Sequence, residues 1–404
     1  MVWKTTTGTE IIFLYFLMQF LILNFFYLAL ILLIVKKWIY RIKNADDIRN
    51  VILSRDAALL LILLIIGFGP VYLLNNDYIP VSQTISRELQ LILSIAMALL
   101  ISGIWLMYVR KIDIYESEKW KYVITVFVLG AVSTELALMG YKTLTAIGID
   151  LNGQIINDLI YCIFAIGGLE ETVKIIPFLL LLKFTRAIDE PYDYILYPSI
   201  SALGFAFVEN IYYIDSSSLY NIGGRALYST VAHMAFSSII GYGMLLGKYR
   251  NMDTRQVKAF FVFFGLAMLA HGFYDFWIIN YFVSSLSFLT TLFFLITIHI
   301  WFILKNNAIN ISTFYDPKVM LDNDRLKWYL VISLSSILML GYVIVSIVHG
   351  LSSGNEYLTK AWLAYGYLVL YLTLSFSRYR IIKGHIGKLT VPMDFFIPKP
   401  VRKE

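Results

Sequence analysis

The chain has 404 residues, of which 59% are hydrophobic and only 15% are charged, and its formal net charge is +6. An average soluble domain carries roughly 25% charged residues, so this composition excludes a protein whose main solvent is water. The positive charge is concentrated between apolar segments, which indicates membrane topology and implies no nucleic-acid role.

Apolar runs of about 20 residues, long enough to cross about 30 Å of hydrocarbon, recur along the whole chain. Open strand edges would leave backbone groups unpaired in lipid, and the alternating pattern of a transmembrane barrel is missing. The sequence therefore predicts an all-α, polytopic transmembrane bundle. We predict about eleven spans, close to residues 11–35, 57–75, 88–109, 122–139, 159–182, 194–213, 227–247, 259–279, 281–304, 328–348 and 361–377.

Lys and Arg residues are segregated between the two sides of these spans, with 27 of the 33 on one side and 5 on the other. Because cytoplasmic loops retain basic residues, the N-terminus is predicted to face out and the C-terminus in. The span 11–35 is longer than a signal-peptide core and is predicted to be retained. Lys174 is the one basic residue that falls within a predicted span.

Three regions follow from this topology: a three-span N-terminal region over 1–115, a five-span core over 116–280, and a three-span C-terminal region over 281–404. The last region ends in a basic cytoplasmic tail, which is expected to lie on anionic lipid headgroups. Cys162 is the only cysteine, so neither an intrachain disulfide nor a cysteine-built metal site is possible. No loop is long enough to form a soluble domain, and function is therefore expected within the membrane.

Ionisable side chains occur inside the fifth predicted span, as Glu170, Glu171 and Lys174. On a helix the lysine lies four and three residues after the two glutamates, so it can neutralise either carboxylate. A structural ion pair between helices would need only one glutamate. Two adjacent carboxylates that share one cation leave excess negative charge at low dielectric, which favours proton transfer or metal ligation.

Polar residues also interrupt the next three predicted spans. A single intramembrane histidine would usually be a hydrogen-bond partner between helices, but here two histidines occur together with several carboxylates. At 1.5 Å per residue, all of these groups are expected between mid-membrane and the outer leaflet, where they can meet. Such groups cost several kcal/mol each in lipid and usually face a polar cavity. They are Glu209 and Asn210 on the sixth span, Arg225 and His233 on the seventh, and His271 and Asp275 on the eighth.

Four other ionisable residues carry no motif. Glu135, near the outer end of the fourth span, is placed where it could join the group. His299, His349 and His385 are predicted to be ordinary residues of a span, a span end and the tail.

Together these stretches resemble the PrsW family of intramembrane proteases, whose pattern is E-E-x-x-K, F-x-x-x-E-N, R-x7-H and H-x-x-x-D/N on consecutive spans. The resemblance covers about 110 residues and leaves the first three and last three spans unexplained. Every element of the pattern is present: Glu170-Glu171-x-x-Lys174, Phe205-x-x-x-Glu209-Asn210, Arg225-x7-His233 and His271-x-x-x-Asp275.

The resemblance implies peptide-bond hydrolysis, which needs a base for water, an oxyanion stabiliser and a polar cavity. Glu170 and Glu171 would supply the base, and Lys174 would tune it. His233 and His271 would polarise the scissile carbonyl or protonate the leaving amine.

The supporting roles that the resemblance implies fall to Asp275, which would fix the tautomer of His271, and to Glu209 and Asn210, which would orient substrate or water. In the alternative chemistry, His233 and His271 bind Zn²⁺ together with a glutamate such as Glu171, and the metal activates water. No H-E-x-x-H motif decides between the two.

The implied substrate is a single-span membrane protein, such as an anti-sigma factor, cut near its extracytoplasmic end at the prokaryotic cytoplasmic membrane. Two other classes of protein fit parts of the pattern. A proton- or ion-coupled transporter also uses carboxylate and histidine chains, but the sequence lacks an inverted repeat. A non-catalytic scaffold related to these proteases would be expected to lack some motif residues.

Overall fold

The computed structural model describes residues 54–76, 85–249, 253–319, 322–377 and 381–387, together with scattered positions between 31 and 81 and Tyr379. These residues are helical apart from connecting turns and loops, and they contain no strand, which confirms the all-α class. The predicted first span, 11–35, and the end of the basic tail lie almost wholly outside the described residues.

The other ten predicted spans coincide with helical segments. The fifth span is built of two helices, Ile155–Tyr161 and Leu169–Phe184, which a π-helical segment over Cys162–Gly168 joins into one continuous rod. The helices are α1 (Arg55–Asn75), α2 (Arg87–Lys111), α3 (Trp120–Ala146), α4 (Ile155–Tyr161), α5 (Leu169–Phe184), α6 (Asp193–Ser216), α7 (Thr230–Tyr249), α8 (Asp253–Ile279), α9 (Phe288–Asn310), α10 (Asn323–His349) and α11 (Leu351–Phe376).

Seven helical segments in the described part of the chain are long and apolar enough to cross a membrane. The α4–α5 rod, α6 and α11 are not among them, and the first two carry Glu170, Glu171 and Glu209. Eleven spans and the orientation of the termini therefore stay predictions. The seven segments are Arg55–Asn75, Arg87–Lys111, Trp120–Ala146, Ile222–Lys248, Val257–Ile279, Phe288–Asn310 and Asn323–His349.

Local chemistry explains where several helices begin. The Ser54 and Ser86 hydroxyls accept N–H groups in the first turns of α1 and α2, and the Asp322 carboxylate accepts the Arg325 N–H at 2.9 Å in α10. Asn280 ends α8, as predicted, but its side chain caps a 3₁₀ turn over Tyr281–Leu286. The predicted span 281–304 consequently starts later, at Phe288.

Helix α6 lies at the centre of the bundle and packs against α2, α3, α5 and α7. The π-helical segment before α5 crosses α8 at very short range. A Cβ on Gly167 would lie 2.4 Å from the Met268 carbonyl oxygen, and a Cβ on Gly272 would lie 2.5 Å from the Cys162 carbonyl oxygen. Glycine at both positions therefore permits backbone contact directly beside Glu170 and His271.

Adding one methyl group at this crossing should destabilise the bundle. We expect Gly272→Ala to lower the free energy of unfolding by about 1–3 kcal/mol, because the two backbones must separate. Thermal unfolding of the purified protein in detergent measures the effect. Gly265→Ala is the matched control, since it lies two turns earlier on α8 and a Cβ there meets nothing within 4 Å. Equal melting temperatures for the two variants would contradict the close crossing.

Candidate active site

The buried ammonium of Lys174 is the centre of the polar cluster. Its Nζ lies 2.8 Å from Glu170 Oε2, 3.1 Å from Glu171 Oε1 and 2.8 Å from Nδ1 of His233 on α7. It also lies 4.4 Å above the centre of the Phe205 ring, which adds a cation–π contact. The predicted pairing within the E-E-x-x-K motif is therefore present. The same lysine also contacts His233 on a second helix.

His271 on α8 has a carboxylate at each ring nitrogen. Nδ1 lies 2.9 Å from Glu171 Oε1, while Nε2 lies 3.3 Å from Asp275 Oδ2 and 3.6 Å from Glu170 Oε2. The ring stacks on Phe236 with centroids 5.1 Å apart. Carboxylates only accept hydrogen bonds, so each ring nitrogen that carries a proton donates it to a carboxylate.

His233 is held between a donor and an acceptor. An ammonium can only donate, so Nδ1 accepts from Lys174, and Nε2 therefore carries the proton that it donates to Glu209 Oε2 at 2.8 Å. The Arg225 guanidinium donates to the same oxygen at 2.8 Å. Glu209, predicted on α6, is thus an integral part of the cluster.

Asn210 acts behind the cluster. Its Oδ1 accepts from Arg225 Nε at 2.6 Å, and its Nδ2 donates to Thr230 Oγ1 at 3.0 Å. The Thr230 hydroxyl in turn donates to the Arg225 carbonyl oxygen at 2.7 Å. Asn210 is fully buried and contacts Arg225 and Thr230, and its predicted role in orienting substrate or water stays a prediction.

Two hydrogen-bonding residues of the cluster lie outside the sequence motifs. The Tyr141 hydroxyl donates to Glu170 Oε1 at 2.6 Å, and the Ser237 hydroxyl donates to Glu171 Oε2 at 2.6 Å. Ser237 lies four residues after His233, on the same helix face, and that spacing is a usable signal. No local pattern marks Tyr141, because its partner is 29 residues away.

A cavity of about 1110 Å³ lies next to the cluster. Glu170, Glu209, His233, His271 and Asp275 line it, whereas Glu171 and Lys174 lie behind its wall. The rest of the wall is mainly apolar and aromatic and includes Tyr365 and Tyr367 of α11, a helix that the sequence motifs do not reach.

The other ionisable candidates lie apart from the cavity wall. Glu135 is exposed on α3, and His299 is exposed on α9. His349 contacts the Ser218 carbonyl oxygen at 2.9 Å through Nε2. None of these residues lines the cavity.

Donor atoms of Glu170, His233 and His271 lie within 4.8 Å of one another and could hold a metal ion. Two histidines and a glutamate form a known donor set of catalytic zinc sites, so the residue types fit. The carboxylate in this group is Glu170, whereas the metal-binding alternative predicted from the sequence uses Glu171. Both nitrogens of His233 are hydrogen bonded, so metal binding there requires Lys174 or Glu209 to give up its contact.

A multi-pass helical protein that buries carboxylates, histidines and a lysine around one cavity is a membrane protein built for polar chemistry inside the bilayer. Residues 118–303 match the family model described as "PrsW family intramembrane metalloprotease". The chain belongs to the PrsW family, as its motifs predicted.

Several curated proteins named Protease PrsW are similar to the chain. The one from Clostridioides difficile is 30% identical over 194 residues, which are 47% of this chain and 79% of that protein. The one from Oceanobacillus iheyensis is 33% identical over 154 residues, or 38% of this chain and 68% of the relative. The one from Bacillus subtilis is 34% identical over 111 residues, which are 27% of this chain and 50% of that protein. No solved structure matches the chain.

Removing the central cation should destabilise the protein strongly. We expect Lys174→Met to lower the free energy of unfolding by about 3–5 kcal/mol, because Glu170 and Glu171 would remain buried without their cation. Thermal unfolding in detergent is again the measurement. Lys360→Met, which removes an exposed ion pair with Glu356 at the same four-residue spacing, is the control and should change little. A Lys174→Met protein as stable as the control would refute this role.

Proposed function

We propose that the protein is an intramembrane endopeptidase that hydrolyses a peptide bond of a membrane-protein substrate within this cavity. The observation that carries the proposal is the approach of Glu170 Oε2 and His271 Nε2 to 3.6 Å at the cavity wall. At that separation, Glu170 can accept a proton from a water molecule while His271 donates a hydrogen bond to the carbonyl oxygen beside it. Similarity to several PrsW proteases supports the same activity.

Glu170 is the general base in this proposal. It takes a proton from water as the oxygen attacks the scissile carbonyl carbon, and it later returns that proton to the leaving amine. The Tyr141 hydroxyl on Oε1 and the Lys174 ammonium on Oε2 hold the carboxylate in place. Glu171 lies behind the cavity wall, so its role is to orient His271.

His271 stabilises the developing oxyanion. Its Nε2–H faces the cavity beside Glu170, and the Glu171 carboxylate at Nδ1 fixes the orientation of the ring. The C–N bond then breaks as the amine receives the proton that Glu170 holds. Arg225 and Glu209 also line the cavity, where they are placed to hydrogen bond to the backbone of an extended substrate segment.

A divalent metal such as Zn²⁺, held by Glu170, His233 and His271, would supply a polarised water at the same position. That chemistry is the one named in the description of the family as metalloproteases. The buried residues alone provide a base, a donor and a cavity, so the glutamate mechanism is the one we propose.

The substrate class that the family resemblance implies is compatible with the cavity and with the predicted topology. A wall rich in apolar and aromatic side chains suits a transmembrane segment that has locally unwound, and the polar residues meet at one place on it. We propose a single-span membrane protein, such as an anti-sigma factor, cut near its extracytoplasmic end in a prokaryotic cytoplasmic membrane. Similarity to proteases disfavours the transporter alternative.

Loss of the base or of the oxyanion donor should abolish cleavage. We expect Glu170→Gln and His271→Ala each to lower the cleavage rate of a fluorogenic single-span peptide in detergent by about 10²–10⁴-fold. His299→Ala, an exposed histidine outside the cavity, should retain the full rate. Melting temperatures confirm folding of each variant. Undiminished cleavage in both site variants would overturn the assignment.

Metal removal separates the two chemistries. Because the Lys174 ammonium already contacts both Glu170 and His233, we expect cleavage to continue after incubation with 1,10-phenanthroline and dialysis. Activity is compared before and after chelation, with a zinc peptidase as positive control. Loss of cleavage that added Zn²⁺ restores would assign Glu170, His233 and His271 to a metal and reject the glutamate-base mechanism.

A further inference from the structure

A second group of carboxylates lies at the other end of the bundle. Two loops meet there: residues 112–119 between α2 and α3, and residues 185–192 between α5 and α6. Asp193, at the start of α6, lies sixteen residues before Glu209, which is about 24 Å along the helix. This group is therefore separate from the candidate active site, and it lies on the side that is rich in Lys and Arg.

We call this group the acidic cluster and define it as Asp113, Glu118, Asp189, Glu190 and Asp193. One carboxylate oxygen from each of Glu118, Asp189 and Asp193 lies within 4.8 Å of the other two. Asp193 is 0% exposed and Glu118 is 7% exposed. Asp189 is exposed and gives the cluster access to solvent.

The buried carboxylate of Asp193 is only half satisfied. Its Oδ2 accepts the backbone N–H groups of Asp189 at 3.0 Å and Glu190 at 2.8 Å. Its Oδ1 receives no hydrogen bond from any described residue, although the atom is inaccessible to solvent. A buried carboxylate oxygen without a donor is costly, so this atom needs either a proton shared with the neighbouring Glu118 carboxyl or a cation.

The neighbouring acids repeat the pattern. Asp113 Oδ2 accepts the Glu118 N–H at 3.1 Å and Glu190 Oε1 accepts the Ser312 hydroxyl, whereas Asp113 Oδ1 and Glu190 Oε2 receive no donor in the described part of the chain. These three buried oxygens therefore lack compensation in the described part of the chain.

Basic side chains do not supply that compensation. Among the described residues, no salt bridge joins the five carboxylates to a Lys or Arg. Arg110 comes near, but its Nη2 donates to the Glu118 backbone carbonyl at 3.2 Å and its guanidinium stacks on Trp120 at 4.0 Å. The intramembrane cluster has Lys174 and Arg225, and the part of the chain that the structure describes gives the acidic cluster no equivalent.

We propose that the acidic cluster binds a hard divalent cation, Ca²⁺ or Mg²⁺, through Glu118, Asp189 and Asp193. Oxygen-only donors are what these ions prefer, and a Ca²⁺–O distance of about 2.4 Å allows ligands on opposite sides to lie nearly 5 Å apart. The bound ion joins the 112–119 loop to the 185–192 loop and thereby ties α3 to the α5–α6 connection. The site stands independently of the proposed protease activity.

Terbium luminescence tests this site directly. The Tyr197 hydroxyl donates to Glu118 Oε2 at 2.6 Å, so tyrosine excitation can sensitise a lanthanide held there. With the full-length, chelator-treated protein in detergent, we expect saturable Tb³⁺ emission that Ca²⁺ or Mg²⁺ displaces, and a melting temperature that rises with either ion. The displacement series shows which of the two ions binds more tightly.

Variants identify the ligands. Asp189→Asn, an exposed change that leaves the fold intact, should weaken Tb³⁺ binding at least about tenfold, and Asp193→Asn should do the same while its amide oxygen keeps the two backbone contacts. Asp316→Asn removes an exposed carboxylate on the same side and should bind like the wild type. Binding unaffected by Asp189→Asn, or weakened as much by Asp316→Asn, overturns the proposal. So does loss of binding in Glu170→Gln, which would place the ion in the cavity.

Discussion

A single buried cation organises the functional part of this protein. The Lys174 ammonium contacts two carboxylates of its own helix and the ring of His233 on α7. His233 passes the contact to Glu209 on α6, and Glu171 passes it to His271 on α8. Because charges at membrane depth are tolerated only when paired, this one side chain couples the geometry of four helices.

Helix packing makes that network possible. Glutamate side chains are short, so the Glu171–His271 contact requires α5 and α8 to approach closely at this level. Glycine at positions 167 and 272 lets the backbones touch, and the π-helical turn just before α5 sets the direction in which Glu170 and Glu171 point. π-helical turns occur frequently at functional sites, and here the turn ends at Gly168, two residues before the first glutamate. Fold and site are thus specified by the same few residues.

Sequence patterns were sufficient for the helices and for most of the cluster, since apolar length and the spacing of Glu170, Glu171 and Lys174 are local properties. They could not show which glutamate faces the cavity, because the π-helical turn changes the helical phase just before the pair. They also missed Tyr141, whose contact with Glu170 joins two different helices. Ser237 could have been predicted, because it lies four residues after His233 on the same helix face. No motif marks the α11 residues that line the cavity, because their position depends on how this helix packs against the rest of the bundle.

The two acidic regions at opposite ends of α6 differ in how their charge is balanced. Around Glu209 the cations are covalent parts of the chain, so that region stays compensated in any medium. Around Asp193 the unpartnered oxygens leave the balance to whatever cation the aqueous phase supplies. A helix anchored at one end by its own residues and at the other by a free ion senses that ion only at the second end. Occupancy of the acidic cluster therefore changes the charge balance at the aqueous end of α6 and leaves the contacts of Glu209 as they are.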